Sequence, residues 1–276
     1  MFGKYFEYNG ETSKDYNLKI CSFNSIEIPM GLGREIIKGE TTKFCPIANH
    51  LGTRYSDVLS FSVSFAKYDR YAKNQTVLAF TEEEINDIMA WLTSPCYPTL
   101  FRMVSDNRDE KNYNYFGVFT DMELFHPVGE MVHGFTATFT TNAPYAWTDE
   151  IVKSCSSTTS IDITIDCKTA ERLTPIYPVI VVTPHNNGNV GRLPVSITTK
   201  EGKTLSLNLP KIPVTIDCGK TKIYDHLGLV SFEDLGLADV GEVYWPRLWY
   251  GINAIKITGD TDIQFRYREP RKVGAY

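Results

Sequence analysis

The chain has 276 residues, of which 42% are hydrophobic and 22% are charged, so it can bury a proper core and is not a disordered protein. Its formal net charge of −5 argues against a nucleic-acid-binding protein, because phosphate neutralisation needs a surplus of basic residues. The most apolar stretch, residues 176–183, is shorter than the roughly 20 residues of a membrane helix, and residues 1–11 contain no signal-peptide core. We therefore expect a globular protein made in the cytoplasm, with no membrane segment and no nucleic-acid specificity.

Alternating apolar and polar residues predict β-strands in the first half of the chain. Leu59, Phe61, Val63 and Phe65 alternate with serines, which is typical of a strand with one buried and one solvated face. Residues 135–140 alternate phenylalanine and alanine with threonine in the same way. They follow residues 115–125 after a turn that contains proline and glycine, so the two segments are expected to form a long hairpin.

One helix is predicted at residues 81–94. Thr81 and Glu84 have the spacing of a capping box, in which each side chain bonds a free backbone N–H group of the first turn. The apolar residues that follow have the spacing of one buried helical stripe. They are Ile85, Ile88, Met89 and Leu92. Because Pro95 ends the pattern, we expect a short helix that covers a sheet.

A domain boundary is expected at about residue 150, where residues 154–160 are rich in serine and threonine. Short apolar runs separated by turns then predict a β-sandwich. They lie at residues 161–166, 179–182, 195–198, 205–209, 214–216, 254–258 and 263–267. The predicted fold is mainly β, with a first domain at residues 1–150 and a β-sandwich domain at residues 151–276.

The sequence lacks the patterns that are typical of catalysis or of metal and cofactor binding. The run Gly219-Lys220-Thr221 is missing the first glycine of a phosphate-binding loop, and no HExxH pair of histidines occurs. The six cysteines include no CxxC pair and are expected to be free thiols, since the protein is expected in a reducing compartment. We predict no catalytic residue, no metal site and no cofactor.

One aromatic cluster leaves two interpretations open. It consists of Tyr244, Trp245, Trp249 and Tyr250. Large aromatic side chains are mostly buried, which favours a role in the core or at a domain interface. The alternative is that Trp245 and Trp249 stack on sugar rings, which would make the chain a carbohydrate-binding β-sandwich protein that mediates adhesion to a host surface.

Four segments of the chain resemble the distal tail protein family of siphophages, the phages with long tails. Residues 6–18 resemble the family's opening, an aromatic-Asn-Gly turn followed by a first strand. Residues 38–65 are similar to its glycine-marked loop and long strand. The end of its first domain is similar to the predicted helix, the hairpin and Pro144-Tyr145 of this chain. Residues 246–255 and 265–268 resemble the last strands of its galectin-like domain.

This resemblance implies a structural protein of the virion, located at the tail tip and assembled in the bacterial cytoplasm. The first domains would form a homo-hexameric ring, and galectin-like domains would project from it. The implied partners are the tail tube protein, the tail hub protein and the tape-measure protein, with a receptor-binding protein as a further partner. No enzymatic activity is implied.

The ring or tube contacts are predicted in a segment around residues 34–55. This segment mixes glycine, apolar and basic residues without a helix or strand period, as an exposed binding loop would. The residues predicted to make contacts are Leu32, Arg34, Phe44, His50 and Arg54. The alternative is an ordinary surface loop.

Overall fold

The computed structural model describes residues 5–21, 34–40, 50–55, 57–68, 78–104, 113–126, 131–185, 191–237 and 243–272. The chain divides into two compact units, which we call unit 1 (residues 1–147 with 272–276) and unit 2 (residues 148–271). No helix among the described residues has the length and apolar character needed to cross a membrane.

Unit 1 is built on one antiparallel sheet. The described strands are β1 (Tyr5–Tyr8), β2 (Glu11–Thr12), β3 (Leu18–Cys21), β4 (Arg34–Lys38), β5 (His50–Tyr55), β6 (Ser60–Lys67), β7 (Thr99–Val104), β8 (Asn114–Phe125), β9 (Gly134–Thr141) and β10 (Ala146–Trp147). The main sheet has the order β2-β1-β7-β8-β9-β6-β3, and β10 pairs with β8. Strands β4 and β5 form a separate two-stranded ribbon. The predicted β8–β9 hairpin is confirmed by the pairing of Gly117 to Phe125 with Thr141 to Gly134.

Helix α1 (Glu82–Thr93) packs on this sheet and begins at the predicted capping box. Thr81 Oγ1 accepts a hydrogen bond from the backbone N–H of Glu84 at 3.2 Å, and the Glu84 carboxylate accepts one from Thr81 N–H at 2.9 Å. Trp91 is buried and its indole N–H donates to the Tyr8 carbonyl at 3.1 Å. The prediction that Met89 belongs to the buried stripe is wrong, because the helix turns Trp91 inward and leaves Met89 42% exposed.

Unit 2 is a sandwich of two antiparallel sheets. Its strands are β11 (Ile151–Ser157), β12 (Ser160–Cys167), β13 (Val179–Pro184), β14 (Leu193–Thr198), β15 (Thr204–Leu209), β16 (Val214–Asp217), β17 (Lys222–Asp225), β18 (Gly228–Leu229), β19 (Gly251–Thr258) and β20 (Thr261–Tyr267). The short strand β21 (Pro270–Arg271) lies outside these two sheets. One sheet has the order β11-β20-β13-β16-β17-β18 and the other β12-β19-β14-β15. Buried and exposed residues alternate along β15 and β19, so each strand turns one face to the core between the sheets.

Candidate interaction surfaces

The β4–β5 ribbon occupies part of the segment predicted to be a binding loop. Arg34 pairs with Tyr55 and Ile36 with Thr53, and a bulge between Ile37 and Lys38 ends the regular register. The expectation of a segment without regular structure is therefore wrong for residues 34–38 and 50–55. The period was hidden because the strands are short, and because the extra residue at the bulge interrupts the alternation.

Both strands of the ribbon expose large apolar side chains. Ile36 is 51% exposed, Ile37 39% and Leu51 67%. Glu35 and Arg54 form an ion pair of 2.9 Å across the ribbon. The ribbon therefore combines exposed apolar side chains with one cross-strand ion pair.

Aromatic contacts connect the end of β5 to the rest of unit 1. The Tyr55 ring meets the Tyr145 ring edge to face, with centroids 6.2 Å apart. Tyr145 contacts Trp147 in the same way at 5.0 Å, and the Lys272 ammonium lies 6.0 Å from the centre of the Tyr55 ring. These contacts hold one end of the ribbon, while Leu51 lies farther along β5 and is exposed.

The residues predicted to make contacts are only partly described by the structure. His50 and Arg54 lie on β5 and are exposed, and Arg34 begins β4. Leu32 and Phe44 lie outside the described residues. Sequence reasoning missed Ile36 and Leu51, because an exposed isoleucine or leucine has no sequence signal that separates it from a core position.

In unit 2, Trp245 and Trp249 of the aromatic cluster make packing contacts, whereas Tyr250 is exposed. Trp245 packs against the core of the sandwich and meets Phe232 edge to face at 6.0 Å. The Arg247 guanidinium lies 5.1 Å from the centre of the Trp249 ring. These contacts favour the core interpretation of the cluster over stacking on a sugar.

Glu201 holds this cluster together through three donors. The Tyr244 hydroxyl donates to its carboxylate at 2.9 Å, Arg247 Nη2 donates at 3.1 Å, and the Trp249 indole N–H also donates. Burial acts to raise the pKa of Glu201, but these bonds outweigh it and hold the pKa below its usual value. The carboxylate therefore stays ionised and fixes residues 244–249 to the turn between β14 and β15.

A shallow cleft of about 330 Å³ in unit 1 gathers acidic and aromatic residues. Burial, followed by the hydrogen bond that its hydroxyl donates to Glu11 at 2.6 Å, raises the pKa of Tyr16 to about 12. Asp87 lines the same cleft. A phenol with so high a pKa is a poor general acid or base near neutral pH. Across the described ranges, no group of three or more His, Cys, Asp or Glu residues has an arrangement that would hold a metal ion.

The cysteines of the described residues are free thiols. Burial raises the pKa of Cys21 and of Cys167 to about 11 in each case. A thiol with a raised pKa is protonated at neutral pH and is a weak nucleophile. Cys21 and Cys167 are therefore small apolar residues of the packing, whereas Cys96 is exposed.

Comparison with known proteins gives a family and a fold. The model of the DUF6558 family, described as the phage tail protein N-terminal domain, matches residues 1–143. The chain is similar to the crystal structure of the Dit protein of phage SPP1, with a TM-score of 0.64 and 13% sequence identity. The similarity covers 97% of this chain and 98% of that one. That protein is described as a paradigm of the hub adsorption apparatus in phages that infect Gram-positive hosts. A chain of the phage P2 baseplate in its activated conformation with Ca is similar with a TM-score of 0.54 and 8% identity, over 99% of both chains. No curated protein matches the sequence.

Proposed function

Since this chain belongs to the phage tail protein N-terminal domain family, we propose that it is a distal tail protein whose copies form a hexameric ring between the tail tube and the tail-tip hub. As a phage tail protein it is part of the virion tail, and its fold is that of the SPP1 Dit protein over 97% of its length. In this proposal unit 1 closes the ring and unit 2 is the galectin-like domain.

The observation that carries the proposal is the β4–β5 ribbon. An isolated two-stranded ribbon is at best marginally stable in water, because it has no third strand or helix to cover its faces. Ile36 and Leu51 are more than half exposed within this ribbon, and the main sheet of unit 1 does not include it. A neighbouring copy that buried these side chains would stabilise both the ribbon and the ring.

A closed ring requires two different patches on each copy, because head-to-tail contacts are heterologous. The ribbon supplies one patch, in which Ile36 and Leu51 are exposed, and its Glu35 is already paired with Arg54. Burying apolar area contributes roughly 25 cal/mol per Å², so a ribbon of this composition favours assembly without leaving this ion pair unsatisfied. Arg34, His50 and Arg54 belong to this contact in the proposal, together with Leu32 and Phe44.

The remaining partners follow from the proposed place at the tail tip. The tail tube protein would contact one face of the ring, and the tail hub protein the other, around the end of the tape-measure protein. A receptor-binding protein is a further proposed partner. The family membership and the shared fold support this set of partners. In this proposal the protein is an adaptor without enzymatic activity.

Light scattering on the purified chain, alone and with the hub protein, tests the ring. We expect a mass near six copies for the wild type. Ile36→Ser combined with Leu51→Ser should give folded monomers, because it removes the apolar contact and leaves the core of unit 1 intact. Arg34→Glu combined with Phe44→Ser extends the test to the rest of the segment.

The matched control is Leu227→Ser, which removes a leucine of unit 2 that is 83% exposed. This variant should form the ring as the wild type does. A ring that survives the ribbon substitutions would remove the ribbon from the interface. A wild-type chain that stays monomeric at high concentration and with the hub protein would refute the ring itself.

A further inference from the structure

Unit 2 has an exposed surface that the ring contact does not use. It is formed by Arg172, Leu173, Tyr250 and Ile252, and we call it the Arg172 surface. Leu173 is 91% exposed, Ile252 69% and Tyr250 45%. Gly251 has a φ of +84°, a conformation that side-chain-bearing residues rarely adopt, and it turns the chain between Tyr250 and Ile252. Tyr250 and Ile252 are thus exposed on either side of Gly251, and Leu173 is exposed next to Arg172 in the chain.

Arg172 is the unpaired charge of this surface. Its guanidinium lies 4.7 Å from the centre of the Tyr250 ring, and it forms no ion pair with a carboxylate of the described residues. Asp166, the cross-strand neighbour of Ile252, lies within 3.7 Å of Lys168 instead. Lys200 donates to the Ile252 carbonyl at 3.3 Å. A guanidinium stacked on a tyrosine keeps its N–H edge free for a carboxylate.

This combination has the composition of a protein-binding surface. Tyrosine and arginine are enriched at the energetic centres of interfaces, where apolar neighbours exclude water from the charged contact. The surface therefore fits a partner that presents a carboxylate beside an exposed apolar side chain.

Helix α1 in unit 1 has this complementary chemistry. Glu82 and Met89 are seven residues apart, which places them on the same side of the helix at a separation of about 10 Å. Both side chains are exposed, and α1 has no basic residue in its last turn. Glu82 has no ion pair among the described residues, whereas Glu84 is bound by Lys67 at 2.6 Å. The exposed side of α1 thus offers a free carboxylate and an apolar side chain.

We propose that the Arg172 surface of one copy docks on α1 of a second copy, with Glu82 paired to Arg172 and Met89 packed against Leu173. The contact joins unit 2 of one copy to unit 1 of the next, so it is heterologous and compatible with a closed ring. It rests on the proposed assembly of the chain with itself, but it uses residues that are separate from the β4–β5 ribbon.

A charge exchange tests this contact. Arg172→Glu and Glu82→Arg should each raise the dissociation constant of self-assembly by about tenfold or more, because each places two like charges at the contact. The chain that carries both substitutions should return to within about threefold of the wild type, since the pair is restored with its charges exchanged. Sedimentation velocity over a range of concentrations measures these constants.

Matched controls separate this effect from a general change of charge or apolar area. Lys222→Glu makes the same charge change on exposed β17 of unit 2 and should leave the constant unchanged. Leu173→Ser should weaken assembly, whereas Leu227→Ser, at a similarly exposed leucine, should not. All of these side chains are exposed, and circular dichroism checks that each variant is folded.

The outcomes distinguish this contact from the ring. If the single variants assemble as the wild type does, or the double variant does not recover, the contact is refuted while a ring built by the ribbon stands. If no hexamer forms but a concentration-dependent association responds to the charge exchange, the contact stands and the ring is refuted. A chain that remains monomeric under all conditions refutes both.

Discussion

The two units of this protein bury different kinds of side chain. The core of unit 1 is largely aromatic, with Phe80 and six phenylalanines on the strands buried: Phe6, Phe65, Phe101, Phe119, Phe135 and Phe139. The core of unit 2 is mostly isoleucine, valine and leucine, with Phe265 and Tyr267 as its buried aromatic residues among those described. The units also differ in architecture, since unit 1 packs a helix on one sheet and unit 2 packs two sheets face to face.

The difference in composition follows from the architecture. Two sheets about 10 Å apart are filled by interdigitating aliphatic side chains, which fit the pleats of both faces. In unit 1, one helix covers the sheet and the buried aromatic rings touch one another. Phe101 has its ring centre within 6.0 Å of those of Phe6, Phe119 and Phe139. Loss of one ring in unit 1 therefore removes several contacts at once.

The largest effect should come from a ring in the centre of unit 1. Phe101→Ala should reduce the free energy of unfolding by about 3–5 kcal/mol, because it removes buried area and leaves a cavity among the other rings. Ile180→Val in the core of unit 2 should cost only about 0.5–1.5 kcal/mol, since a single methylene is lost. Urea unfolding followed by tryptophan fluorescence measures both, because each unit contains tryptophans. A loss for Phe101→Ala no larger than that for Ile180→Val would contradict this expectation.

The next effect concerns a buried polar residue of unit 2. Asn253 is 2% exposed, accepts a hydrogen bond from Trp249 N–H at 2.8 Å, and donates to the carbonyls of Trp249 and Gly251 at 2.7 and 2.9 Å. Asn253→Ala should cost about 2–3 kcal/mol, because these backbone groups lose their partner in a site closed to water. The exposed Asn208 is the control, and Asn208→Ala should change stability by less than about 0.5 kcal/mol. If the two alanine variants unfold at the same urea concentration, the polar contacts of Asn253 are not what stabilises unit 2.

The smallest effect is expected at His185 and depends on pH. Its Nδ1 lies 2.7 Å from an Asp260 oxygen and its Nε2 3.0 Å from an Asp262 oxygen, and these hydrogen bonds raise the pKa of His185 above its usual value. The stability that protonated His185 gains from the two aspartates is fully present below the unfolded pKa of about 6.5. It is lost as pH rises through the raised pKa of the folded state. The Ser156 hydroxyl and His185 lower the pKa of Asp262. The stability contributed by the Asp262 carboxylate is therefore lost only when pH falls through this lowered pKa.

His185→Gln should therefore lower the melting temperature at about pH 5.5 and have little effect at about pH 9. Thermal unfolding at the two pH values measures this difference. Phe101→Ala is a useful reference, since its effect involves no titrating group and should be nearly the same at both. A His185→Gln effect that is larger at the higher pH would contradict the assigned charge state.

Much of the fold could be predicted from local patterns. The strand at Ser60–Lys67, the hairpin of β8 and β9, and seven strands of the sandwich follow from apolar runs along the chain, whereas β11, β17 and β18 were not predicted. The start of α1 follows from Thr81 and Glu84, because a capping box is satisfied within four residues. The candidate interaction surfaces were harder to find. Ile36 and Leu51 have the residue types of a core, and they are exposed because no element of the described ranges covers them.

The sequence by itself determined the strand and helix periods, the capping box and the resemblance to a phage tail protein, since each depends on residues close together in the chain or on their order. Tertiary structure alone decided that β4 and β5 form a separate ribbon, that Glu201 fixes Tyr244, Arg247 and Trp249, and that Arg172 stacks on Tyr250 without a carboxylate partner among the described residues. The physical reason is that pairing, burial and exposure depend on residues distant in sequence. A local pattern shows which side chains are apolar, but not which of them are buried in the folded protein.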